Sequence, residues 1–145
     1  MSKKIAIIGG GNLGTAIAEG LIGSGFIQPQ NITVTKRNLE TIRHLEAKGV
    51  TITSDNNDAV ATADYIILAI KPFQIKEVLV KLKPALQPAK HVLVSVVTGV
   101  WVKEMQDLLG NDFPIFRAMP NTAIAIQQSM TCISESNATK EQIQF

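Results

Sequence analysis

The sequence predicts an α/β fold, a doubly wound, mostly parallel sheet with helices on both faces. Strand-length apolar runs alternate with helix-compatible stretches, and the runs at 65–70 and 92–97 are almost continuously apolar. Alternating strand and helix marks a parallel sheet covered on both sides, and a strand buried on both faces has no polar side to show. The third observation is at the start, where the apolar residues of 4–8 break into Gly9-Gly10-Gly11-Asn12-Leu13-Gly14.

Strands are expected at 4–8, 32–35, 51–53, 65–70, 91–96 and 115–117, where β-branched and apolar residues cluster between turn formers. The first helix, 13–24, follows from Ala16, Ile17, Leu21 and Ile22 at helical spacing. Further helices are expected at 39–48, 58–63, 73–82 and 100–109, with Gly25, Gly49 and Gly110 as stop signals and a loop between Pro84 and Pro88. His44 reads as a helix-surface residue and His91 as a strand entry. Phe73, Trp101 and Met119, apolar residues near strand ends, read as core. The stretch 134–139 is polar and linker-like, and Thr139-Lys140-Glu141-Gln142 has the pattern of a capping box. The expected organisation is a nucleotide-binding domain over 1–134, with 135–145 as a linker and the start of a helix that belongs to a second domain.

Composition narrows the function classes. The 145 residues carry 46% hydrophobic and 18% charged residues and a net charge of +2, so one good core is affordable and no strongly basic surface recommends a nucleic-acid partner. No apolar run approaches the roughly 20 residues of a membrane-spanning helix. Cys132 is the only cysteine, which rules out an internal disulfide, and no secretory leader precedes the first strand. A cytoplasmic protein is expected. No cluster of His, Cys, Asp or Glu has metal-ligand spacing, and neither a nucleophile elbow nor a catalytic triad is visible.

The glycine turn carries the chemistry. Gly9, Gly11 and Gly14 match G-x-G-x-x-G between a strand and a helix: the first allows the tight turn, the second the close approach of backbone to a pyrophosphate, and the third the packing of helix on strand. Unpaired amides and the helix dipole then hold the phosphates without a charged side chain. This is a Rossmann-like signature. At the end of the second strand, where NAD-specific sites place an acid, the chain has Thr35-Lys36-Arg37-Asn38. A hydroxyl and two cations suit a ribose 2′-phosphate, so NADP(H) is the expected cofactor, with NAD(H) as a second candidate. Lys71-Pro72 follows a buried strand, at the end of a parallel sheet where ligands bind.

Four motifs in order give the chain a wider resemblance: the glycine loop with Asn12-Leu13; Asp55-Asn56 with Asp64 and Ile67-Leu68-Ala69-Ile70-Lys71-Pro72; Ser95-Val96-Val97-Thr98-Gly99-Val100; and Arg117-Ala118-Met119-Pro120-Asn121-Thr122. Together they resemble the pyrroline-5-carboxylate reductases, whose signature R-x-M-P-N-T is the most specific of the four. The resemblance implies hydride transfer from NADPH to the C=N carbon of 1-pyrroline-5-carboxylate, giving L-proline. It places Asn12 and Leu13 at the pyrophosphate, Thr35, Lys36 and Arg37 at the 2′-phosphate and Asn56 at the adenosine half. Ala69, Ile70, Lys71 and Pro72 fall under the nicotinamide half, and Val97, Thr98, Met119 and Asn121 where nicotinamide meets substrate. It names no proton donor. It also implies a helical domain, beyond the region matched here, that makes a homo-oligomer and completes the substrate pocket. Ala123 departs from the family pattern, which has proline after Asn-Thr; the change frees one amide and is expected to loosen the turn. The alternative is an NADP-binding or redox-sensing module with no catalysis of its own. A third possibility is a related reductase acting on a 3-hydroxy acid or a deazaflavin, which would not share 117–122 in this form.

Overall fold

A computed structural model describes residues 2–145. Its centre is a seven-stranded sheet in the order β3-β2-β1-β4-β5-β6-β7, formed by β1 (Ile5–Ile8), β2 (Ile32–Thr35), β3 (Thr51–Thr53), β4 (Tyr65–Leu68), β5 (Val92–Ser95), β6 (Ile115–Met119) and β7 (Cys132–Ser136). The first six strands are parallel, and β7 returns antiparallel to β6, with Met119 opposite Cys132 and Ile115 opposite Ser136. β1 pairs with β2 on one side and β4 on the other, so the strand order reverses at β1 and opens a crevice beyond the carboxyl ends of those strands.

Successive side chains of a strand point to opposite faces, and the core divides accordingly. Ala6, Ile8, Ile66, Leu68 and Leu93 pack with α3 (Asn56–Thr62), α4 (Ile75–Leu82) and α5 (Val102–Leu109). Ile5, Ile7, Tyr65 and Ile67 pack on the other face with Ile17 and Ala18 of α1 (Asn12–Gly23) and Leu45 of α2 (Arg43–Glu46). The near-continuous apolar strands are thus buried from both sides, and the sheet is Rossmann-like as expected. Gly25, Gly49 and Gly110 all have positive φ, which suits their positions just after helices.

Several elements differ from the sequence reading. The helix expected over 39–48 is a 3-10 turn, Leu39–Ile42, followed by the single α-turn of α2, and the strand expected over 65–70 ends at Leu68. The polar stretch expected as linker from residue 134 is strand as far as Ser136, so the expected division at 134/135 falls inside β7. Its side chains are almost all exposed and so leave no apolar pattern in the sequence. A further 3-10 turn, Thr122–Ile126, packs on α1, with the Ile124 carbonyl only 2.2 Å from where a Cβ on Gly20 would stand. Phe73 and Trp101 are not core: they are 84% and 63% exposed. The capping box of α6 (Lys140–Gln144) forms as read, Thr139 Oγ1 accepting from the Gln142 amide at 3.2 Å and Gln142 Oε1 from the Thr139 amide at 2.8 Å. Phe145 then stacks on Tyr65 and Phe26.

Candidate functional site

The crevice is a cleft of about 760 Å³ at the carboxyl ends of β1, β2 and β4. Its floor is the glycine turn. Gly9 adopts φ +107, and a Cβ there would stand 2.4 Å from the Ala69 carbonyl oxygen. A Cβ on Gly14 would lie 2.0 Å from the Gly9 oxygen, so this residue lets α1 rest on the strand end and itself stays out of the cleft. Gly11 has extended backbone and nothing within 4 Å of its would-be Cβ. That open space, at the helix start where no side chain caps the amides, is the room an incoming phosphate needs.

Thr35 is buried, and its Oγ1 accepts from the Gly9 amide at 3.3 Å while its carbonyl accepts from Gly10 at 2.7 Å. Its oxygens therefore tie β2 to the turn. Lys36 and Arg37 follow it at the cleft edge, and the Lys36 amide donates to the Thr53 carbonyl at 3.1 Å. Asp55 caps α3 through the Asn57 and Asp58 amides, which sets Asn56 on the cleft wall. Ala69, Ile70, Lys71 and Pro72 continue from β4 along the cleft, and the Lys71 amide donates to Gln74 Oε1 at 3.1 Å.

Asn12, Leu13 and Thr98 also line the cleft, whereas Gly14, Val97, Met119 and Asn121 do not. Val97 is 2% exposed among the core residues, and its neighbour Val96 faces the cleft instead. Asn121 caps the turn at 122–126, accepting from the Ala123 amide at 3.0 Å. The amide freed by having alanine instead of proline is therefore bonded to the Asn121 side chain. Arg117 Nε donates to the Val100 carbonyl at 3.0 Å while its guanidinium lies 4.7 Å from the Trp101 ring centre, which gives the exposed indole a cationic partner.

Sequence reasoning missed the outer wall, where Glu77, Val78 and Lys81 of α4 join Ser54 and Asn38. Only a 3.6-residue count outward from buried Ile75, Leu79 and Leu82 could have signalled the α4 residues. Glu77 Oε1 meets Lys81 Nζ at 2.6 Å. That hydrogen bond and the Lys81 charge hold the Glu77 carboxyl below its usual range, and Arg37 across the cleft adds to the effect. Among the described residues no group of acids, histidines and cysteine could hold a metal ion, and no helix is long and apolar enough to cross a membrane.

Residues 4–99 match the family described as NADP oxidoreductase, coenzyme F420-dependent. The chain belongs to this family. The matched span contains the glycine turn, the Lys36-Arg37 pair and the cleft as far as Thr98, and it stops before Arg117–Thr122. Over 130 residues the family member is 42% identical to pyrroline-5-carboxylate reductase 1 of Dictyostelium discoideum, which covers 90% of this chain and 23% of that protein. To pyrroline-5-carboxylate reductase 2 of the same organism it is 41% identical over 139 residues, 94% of this chain and 46% of that one. The structure of a pyrroline-5-carboxylate reductase from Coxiella burnetii superposes with a TM-score of 0.92 at 36% identity, covering 99% of this chain and 54% of that one. The chain thus spans about half or less of the length of the relatives it matches.

Proposed function

We propose that this chain is the cofactor domain of a pyrroline-5-carboxylate reductase, using NADPH to reduce the C=N bond of 1-pyrroline-5-carboxylate to L-proline. The observation that carries the reading is the similarity to enzymes of that name over at least nine-tenths of the chain, joined to a nucleotide-sized cleft at the strand-order reversal. A cytoplasmic location, a homo-oligomer completed by a further domain, and a small-molecule substrate as the only ligand besides the cofactor belong to the same reading.

The residues fit such a cofactor. Open space beside Gly11 and uncapped amides at Asn12 and Leu13 suit a pyrophosphate, Lys36 and Arg37 suit a 2′-phosphate, and Asn56 offers an amide to the adenosine end. When bound, NADPH supplies a hydride to the imine carbon, while the nitrogen takes the C=N electron pair and a proton. The protein's part is orientation. Ala69 to Pro72 and Thr98 line the cleft, Thr98 at its β5 end, where the loop before Val100 is held by Arg117 through the Val100 carbonyl. Met119 and Asn121, at and just beyond the carboxyl end of β6, stand next to that end of the cleft in the reading, outside its immediate lining.

Calorimetric titration with NADPH and then NADH tests the cofactor half. NADPH binding well above NADH is expected, and binding of neither sinks the reading. Oxidation of NADPH on adding 1-pyrroline-5-carboxylate, followed by absorbance in this chain and in a version joined to the second half of a relative, tests the reaction. Binding without turnover in both forms would favour a cofactor-binding module with no catalysis of its own.

A further inference from the structure

The outer wall of the cleft is charged. α4 buries Ile75, Leu79 and Leu82 against the sheet, and this leaves Glu77, Val78 and Lys81 on the cleft side, across from Lys36 and Arg37 of the β2 end. Glu77 and Lys81 lie one helical turn apart and pair at 2.6 Å, in the favourable order of acid before base. Arg37 acts on the Glu77 carboxylate through space, so the two walls feel one another's charge. Lys36, Arg37 and Lys81 with Glu77 leave two net positive charges at this end. A phosphate monoester carries about −1.5 to −2 near neutrality. The carboxylate thus cancels the cation in excess of what a 2′-phosphate would neutralise.

We infer that Glu77 is a cofactor-specificity residue, a carboxylate standing across the adenosine end that trims the attraction of Lys36 and Arg37 for a 2′-phosphate and so narrows the preference for NADPH over NADH. Lys81 acts in the opposite sense, adding a cation that Glu77 engages. This deepens the NADP-domain reading and rests on it. Neither side chain is part of the core, with 70% of Lys81 and 62% of Glu77 exposed, and an exposed pair of this kind contributes little to folding. Both variants below therefore fold.

The experiment titrates the wild-type chain, Glu77→Gln and Lys81→Gln with NADPH and with NADH, at low and at raised salt. Glu77→Gln is expected to tighten NADPH about three- to tenfold, with NADH changed less than about twofold, and the gain shrinks as salt screens it. Lys81→Gln is expected to weaken NADPH by about threefold or more, again with little effect on NADH. An unchanged NADPH-to-NADH ratio in Glu77→Gln, or a fall in that ratio, overturns the inference while leaving the cofactor-domain reading in place. Failure of the wild-type chain to bind NADPH overturns both.

Discussion

Three glycines that look alike in the motif have different work, and the difference can be measured. Gly11 has ordinary extended backbone and free space around its would-be Cβ, so Gly11→Ala is expected to leave the melting temperature within about 1–2 °C of wild type, as for a surface change of a few tenths of a kcal/mol. The added methyl occupies the approach of a pyrophosphate, and NADPH affinity is expected to fall tenfold or more by about 1.4 kcal/mol per decade. Gly14→Ala does the reverse: its methyl would meet the Gly9 backbone at 2.0 Å, and overpacking of this kind costs about 1–3 kcal/mol, read as a drop of several degrees in the melt. Charge gives the companion test. Replacing Lys36 and Arg37 together by glutamine is expected to weaken NADPH by roughly 1.5–3 kcal/mol more than NADH in calorimetry, and equal losses for both would remove the 2′-phosphate from this end.

At the scale of elements, what was legible is what burial writes into sequence. β1, β4 and β5 show as apolar runs because both their faces are covered, and the glycine turn shows because backbone geometry admits no substitute at Gly9. β7 was not legible: it pairs with β6 through backbone bonds at the sheet margin, and exposed Ile133 and Glu135 carry no two-residue alternation to read. The α4 wall of the cleft was not legible either, since Glu77 and Lys81 look like any solvated pair until the helix is laid across the end of β4. Trp101 departs from the expectation because a large aromatic beside a strand ordinarily packs inward, whereas here an arginine supplies its partner. The opposite end of the sheet holds a buried histidine. His91, at the entry to β5, is 1% exposed, and its Nδ1 accepts from the Gln87 amide at 2.9 Å. Burial first, then neighbouring Lys90, lowers its pKa, with Asp64 and the Val60 backbone opposing. The folded chain therefore protonates the ring at lower pH than the unfolded chain, which does so near pH 6.5, so stability is complete above about that value and declines as pH falls below it. Denaturation at pH 7.5 and at pH 5.5 is expected to show the loss, and His91→Asn is expected to flatten its dependence on pH about where an imidazole titrates.

At the scale of the whole molecule, the cleft draws on segments far apart in the chain: the turn after β1, the end of β2, the start of α3, the run from Ala69 to Lys81, and Thr98 beyond β5. These lie on both sides of the strand-order reversal, so each half of the sheet supplies only part of the site. A dinucleotide laid across β1 binds the folded arrangement and has no counterpart in the unfolded chain. Linkage then gives a stabilisation of about 2.7 kcal/mol when NADPH is at a hundred times its dissociation constant, and for a chain of this size that raises the melting temperature by roughly 5–10 °C. NADH at the same concentration is expected to shift the melt less, and adenosine 2′,5′-bisphosphate, which carries the 2′-phosphate but no nicotinamide, to fall between no ligand and NADPH. Melts recorded over a concentration series of the three ligands check this. A transition that does not move at millimolar NADPH would mean that the cleft does not hold the dinucleotide, whereas a shift by NADPH that the bisphosphate largely reproduces would locate most of the binding energy at Lys36, Arg37 and the α4 wall.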